Sequence, residues 1–263
     1  MPFAEINKHR FHYTDTGGDG PALIFSHGFA LDHTLFDAQV AAFKDKYRCI
    51  AWDERGHGMT NCLGDFTMWD SAEDVIGLMD HLGIKQATLV GLSQGGFLSM
   101  RAAVTHPDRV KALVLMDTAA RSFAPEERAG YQQMRDFWCT EGPVGETCTI
   151  MAQTMYGPDT DQLLAKLTIA RWRAKAPQYW AGGWSPLLDR DDFFDRLKDI
   201  KCPTLVIHGS EDIPFPLEVP REMAAAIPTC VGLEIIEGGP HACAATHPEE
   251  VNAALRPFLE KYA

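Results

Sequence analysis

The sequence predicts an α/β fold: a mostly parallel sheet flanked by helices, with an inserted helical cap. Three observations carry this expectation. Short apolar runs alternate with helix-like stretches, the pattern of a parallel sheet covered on both faces. Gly91-Leu92-Ser93-Gln94-Gly95, followed by Gly96, stands between one such run and a helical pattern. A carboxylate and a histidine then follow two later runs, in the order Ser, Asp, His.

The runs 22–25, 49–52, 87–90, 112–115, 204–207 and 233–236 are apolar or β-branched and end in glycine or polar residues, so each reads as a buried strand. Residues 71–82 read as a helix, with a capping-box-like Ser71/Asp74 and Val75, Leu78, Met79 and Leu82 on one face. Residues 97–103 read as the helix after the glycine-rich turn, stopped by His106-Pro107. Pro248 suits a first helical position, and Val251, Leu255, Phe258 and Leu259 recur at helical spacing. The rhythm breaks over 121–195, where no buried strand is evident and 161–175 reads as helix. We therefore expect a core of residues 1–120 and 196–263 and a cap of 121–195. Tyr131, Phe137, Trp138, Tyr156, Trp172, Trp180 and Trp184 fall in the cap. Of the cap aromatics, Trp138, Trp180 and Trp184 are taken with His27 as candidate pocket residues.

The 263 residues carry 24 basic and 36 acidic side chains, a net charge of −12 that repels nucleic acid and anionic membranes. No run approaches the roughly 20 apolar residues of a membrane span, and the start has no signal-peptide core. The expectation is a soluble, cytoplasmic chain acting on a small molecule. The seven cysteines form no Cys-x-x-Cys pair, and their odd number suits reduced thiols. Neither a zinc or calcium pattern nor a dinucleotide or phosphate loop is present, so no metal and no cofactor are expected.

The chemistry rests on Ser93. A sharp strand-to-helix turn exposes its hydroxyl and admits only small neighbours, which Gly91, Gly95 and Gly96 supply. A serine needs a histidine to take its proton and a carboxylate to orient that histidine. His241 follows the last apolar run, and Asp212 follows the one before it; Glu211 and Asp117 are rival acids, and His247 is a rival base. Ser93, Asp212 and His241 sit where open α/β sheets place their sites, beyond the carboxyl ends of strands, whereas His247, just before Pro248, reads as the edge of the last helix. The N–H groups of Gln94 and Phe29 are the expected donors to an oxyanion. His208 is assigned to local bonding, and 53–58 to a shielded Asp/Arg turn. Arg171 and Arg173 are read as solvated surface groups, with contact to a substrate carboxylate as the alternative.

His27-Gly28-Phe29, Asp53-Glu54-Arg55-Gly56-His57-Gly58, Gly91-Leu92-Ser93-Gln94-Gly95-Gly96, His106-Pro107-Asp108-Arg109-Val110, His208-Gly209-Ser210-Glu211-Asp212 and Gly239-Pro240-His241 together resemble the α/β-hydrolase fold family. Within it the chain is similar to 3-oxoadipate enol-lactonases, small microbial esterases and cofactor-free haloperoxidases. Serine at position 93 disfavours the branches whose elbow nucleophile is aspartate. The resemblance implies a serine hydrolase of carboxylic esters or lactones. Perhydrolysis or halogenation through a peracid, carbon–carbon hydrolysis of a diketone, and a non-enzymatic ligand receptor remain open alternatives on the same residues.

Overall fold

The computed structural model describes residues 2–159 and 162–263. Eight strands form one sheet: β1 (Phe3–Ile6), β2 (His9–Asp15), β3 (Ala22–Ser26), β4 (Arg48–Trp52), β5 (Ala87–Leu92), β6 (Val110–Met116), β7 (Thr204–Gly209) and β8 (Cys230–Ile236). Their order across the sheet is β1-β2-β4-β3-β5-β6-β7-β8. From β4 to β8 every pairing is parallel, and all six expected strands are present. After β3 the chain moves to one side for β4 and returns to the other for β5. The loops after β3 and β5 therefore part at a switch point, where such sheets open a crevice.

The sequence did not announce β1 and β2, an antiparallel hairpin that pairs with β4. Its two turn residues, Asn7 and Lys8, have φ of 48° and 67°. Positive φ at both central positions gives a hairpin turn that matches strand twist, usually announced by glycine. Lysine carries no such signal.

Helices cover the sheet: α1 (Asp37–Phe43), α2 (Met68–His81), α3 (Gln94–Thr105), α8 (Glu218–Ala226), the short α9 (Cys243–Thr246) and α10 (Pro248–Tyr262). Pro248 opens α10 as expected, and Val251, Leu255, Phe258 and Leu259 are buried. Helix α2 begins before the position read from sequence. Its N-cap is Thr67, whose hydroxyl accepts from Asp70 N while the Asp70 carboxylate accepts from Thr67 N. Ser71 and Asp74 lie inside the helix and are buried. Asp74 accepts from Arg55 Nη2 and Asn7 Nδ2, both at 2.8 Å, so α2 is tied to the loop after β4 and to the hairpin turn.

Between β6 and β7 the described residues form no strand. They form α4 (Pro125–Thr140), α5 (Gly145–Tyr156), α6 (Leu163–Ala174) and α7 (Ala181–Leu188). The helix expected over 161–175 is α6; Asp161 itself lies outside the described residues. Trp138, Trp172, Trp180 and Trp184 are buried within this layer and continuous with the core. Among the described residues no helix is long and apolar enough to cross a membrane.

Replacing Thr67 with alanine removes the cap of α2 and is expected to lower unfolding free energy by about 1 kcal/mol in urea titration. Ser71→Ala removes a buried hydroxyl that has no hydrogen-bond partner and costs no cap.

Candidate active site

Ser93 ends the tight turn from β5 into α3 with φ 53° and ψ −114°. The glycines around it are steric necessities. A methyl group on Gly91 would lie 2.2 Å from Gly95 O, one on Gly95 2.0 Å from Ser26 O, and one on Gly96 2.5 Å from Thr118 Oγ1. The turn is pinned by Ser93 N donating to Met116 O at 2.9 Å and by Thr118 Oγ1 donating to Ser93 O at 2.7 Å.

The loop after β3 packs on this turn. A methyl group on Gly28 would lie 3.2 Å from Ser93 Cβ. Leu31 N donates to Gly28 O at 3.1 Å, and the Trp172 indole of α6 donates to Ala30 O, so a helix of the 121–195 segment holds this loop. Phe29 N–H makes no hydrogen bond with a described residue. Gln94 opens α3, and the first N–H groups of a helix have no partner within it. Both expected oxyanion donors are thus uncommitted.

Asp212 and His241 follow β7 and β8, and His241 Nδ1 lies 3.0 Å from each carboxylate oxygen of Asp212. The carboxylate is further fixed by Phe215 N, which donates to Oδ1 at 3.2 Å. Burial depresses the His241 pKa, but the charge and hydrogen bond of Asp212, with Asp117 behind it, outweigh burial and hold it above the ordinary value. Ser93 and His241 line one small cavity of about 30 Å³ together with Phe29. The Ser93 hydroxyl makes no hydrogen bond with a described residue; such bonds often close only when substrate is present.

Neither rival acid makes a hydrogen bond with His241, whose described carboxylate partner is Asp212. Glu211 is exposed. Asp117 is fully buried, and its Oδ1 accepts from Gly209 N at 2.7 Å. Burial and the charge of Asp212 push its carboxyl well above the usual carboxylate range. His208 Nε2 donates to Phe215 O at 2.7 Å, a local bond as expected. Cys243 is buried, and its thiol is raised far above the ordinary value by burial.

None of the four candidate pocket residues lines the cavity that holds Ser93. His27 is buried behind the loop, with Nδ1 2.7 Å from Gly28 O and Nε2 accepting from Glu54 N. Trp138 and Trp184 pack on Phe29, at centroid distances of 6.4 and 4.3 Å, and act as its backing. Trp180 packs on Trp138 and faces a separate cavity beside His33, His57 and Lys175. The Ser93 cavity is lined instead by Phe123, Tyr131, Met151, Met155, Leu187 and Phe215, among others. Arg171 donates to Thr34 and Asp32, and Arg173 is exposed, so neither reaches this cavity.

The loop after β4 is a shielded turn, with Asp53 and Arg55 buried and Gly56 and Gly58 at positive φ, but its two charged groups bond to different partners. Asp53 accepts from both His12 Nδ1 and His33 Nδ1, at 2.9 and 2.8 Å, whereas Arg55 pairs with Asp74 of α2. Its next residue, Glu54, is fully buried and accepts from Gln94 Nε2 at 3.0 Å. The Gln94 side chain therefore points away from the cavity and braces the residue that follows Ser93. Two clusters bring three potential metal donors together, His12/His33/Asp53 and Asp117/His208/Asp212. Hydrogen bonds within the protein already engage both.

A profile of the α/β hydrolase fold family matches residues 21–248, and the chain belongs to that family. It is 29% identical to 3-oxoadipate enol-lactonase 2 of Acinetobacter baylyi over 93% of this chain and 90% of that protein. A thermophilic esterase from Thermogutta terrifontis superposes with a TM-score of 0.84 at 32% identity, covering 96% of this chain and 94% of that one. The enol-lactonase from Burkholderia xenovorans LB400 superposes with a TM-score of 0.88 at 26% identity, covering 98% and 100%.

Burial raises the Glu54 pKa to about 8, against an ordinary 4.5. The folded protein then holds a proton that the unfolded chain has released between these values, so Glu54 makes stability fall as pH rises through that window. Glu54→Gln is expected to flatten this decline in urea titrations from pH 5 to 8, gaining most at the alkaline end.

Proposed function

We propose that the chain is a serine hydrolase of carboxylic esters or lactones, with Ser93, His241 and Asp212 as its catalytic triad. One observation carries the reading: the strained Ser93 turn and His241, itself held by Asp212, face the same cavity. Ser93 Oγ attacks the carbonyl carbon as His241 Nε2 takes its proton. The N–H groups of Phe29 and Gln94 receive the oxyanion, each worth about 2.7–4 kcal/mol in a water-poor site. The tetrahedral intermediate collapses, the alcohol leaves with the proton from His241, and an acyl group remains on Ser93. Water, deprotonated by His241, then releases the acid. Segment 121–195 serves as the cap over a core of 1–120 and 196–263, because its residues Phe123, Tyr131, Met151, Met155 and Leu187 wall the cavity.

Ser93→Ala is expected to lower turnover of p-nitrophenyl esters by about 10⁶, since the three residues act as a unit. Retention of most of the wild-type turnover contradicts the assignment. Asp212→Asn is expected to lower kcat by about 10⁴. Asp117→Asn should keep most of its activity; loss in this second variant alone would move the acid to β6. His241 is a base only when neutral, so kcat/KM rises with pH through a value above 6.5. Removing the Asp117 charge shifts that rise to lower pH.

A further inference from the structure

A cavity that shares a wall with the Ser93 site holds a buried cation with no ion-pair partner among the described residues. It has a volume of about 280 Å³ and shares Phe123, Pro214 and Phe215 with that site. Arg190 lines it and is only 7% exposed. Its Nε donates to Arg121 O at 3.2 Å and its Nη1 to Leu187 O at 2.8 Å, which fixes the guanidinium plane. Nη2 makes no hydrogen bond with a described residue, and no described carboxylate lies within ion-pairing distance of the group. Rings flank it: Phe123 and Phe97 have their centroids 3.7 and 4.6 Å from Cζ.

The nearby acids are engaged elsewhere. Glu127 Oε2 accepts from Ala124 N at 2.9 Å, Glu222 lies 3.7 Å from Arg121, and Asp192 Oδ1 accepts from Phe194 N at 2.9 Å. Tyr131, stacked on Phe123 at 4.7 Å, faces the Ser93 cavity, and the other charged neighbours, Arg101 and Arg121, are cations. A buried charge is ordinarily paired, because its lost hydration must be replaced. Ring faces replace part of it. The rest calls for an anion, and a carboxylate matches a guanidinium edge held in one plane.

We propose that Arg190 binds a carboxylate carried by the substrate, so that the ester or lactone cleaved at Ser93 is itself an acid. This rests on the hydrolase reading above and deepens it. The net charge of −12 acts against anionic substrates in general, so a preference for one must come from a local cation. Arg190 is then a specificity residue: it contacts the end of the substrate remote from the reacting carbonyl.

The test uses monomethyl esters of the five-, six- and seven-carbon straight-chain diacids, each against its dimethyl ester. With wild-type protein, kcat/KM for at least one monoester is expected to exceed that of its diester by about 10–100-fold, the range of a charged hydrogen bond. In Arg190→Gln that ratio collapses towards one, and Arg190→Lys keeps part of it. A wild-type ratio of one or less overturns the proposal without any variant. So does an Arg190→Gln protein that loses both activities equally, which marks a packing role. Titration calorimetry on Ser93→Ala reads the same contact without turnover: tighter binding of the monoester supports it, and equal binding overturns it. If wild type hydrolyses neither ester while the monoester still binds more tightly, the hydrolase reading fails and the carboxylate site stands.

Discussion

The backbone at Ser93 is held where an ordinary residue does not rest, and much of the site is organised around keeping it there. A left-handed φ with ψ of −114° costs on the order of 1–3 kcal/mol and persists only when its surroundings over-determine it. Here they do. Strand β6 receives the Ser93 N–H, Thr118 holds the Ser93 carbonyl, and the loop after β3 packs against Ser93 Cβ. The turn leaves no room for a side chain at Gly91, Gly95 or Gly96 and little at Gly28. The strain projects one hydroxyl into the cavity and leaves the Gln94 N–H at the start of α3.

Around that turn, burial sorts the titratable groups. His241 is raised by Asp212, whereas burial lowers His27, His57 and His208. One imidazole is thus set apart from its neighbours as the group that most readily accepts a proton. The carboxylates divide in the same way. Asp53 is held far below its ordinary range by His12 and His33, while burial pushes Glu54 and Asp117 up. Neutral Glu54 adds little negative charge where an oxyanion would form. Groups whose environments push their pKa values apart are those that can take distinct roles in proton transfer.

The core of the fold was legible because its parallel strands are buried on both faces and so appear as unbroken apolar runs. The hairpin at the sheet edge was not: β1 alternates buried and exposed residues, and its turn relies on Asn7 and Lys8 without glycine. Ser93, Asp212 and His241 stood out because motif and strand order place them at strand ends. The cavity wall did not. Phe123, Tyr131, Met151 and Leu187 come from a loop and three helices, and periodicity says which helix face is apolar but not which neighbour it meets. The tryptophans misled for the same reason. Their large rings pack tilted and edge-on against one another and back Phe29 instead of lining the Ser93 cavity. Arg190 gave no signal at all, since a buried arginine and a solvated one read alike in sequence.

The central claim is that Ser93 is a nucleophile activated through His241. Treating the folded protein with a fluorophosphonate and mapping the adduct by peptide mass spectrometry tests it most directly. One adduct is expected, on the peptide containing Ser93, lost in Ser93→Ala and strongly slowed in His241→Ala. An unmodified Ser93 peptide from folded protein would contradict it.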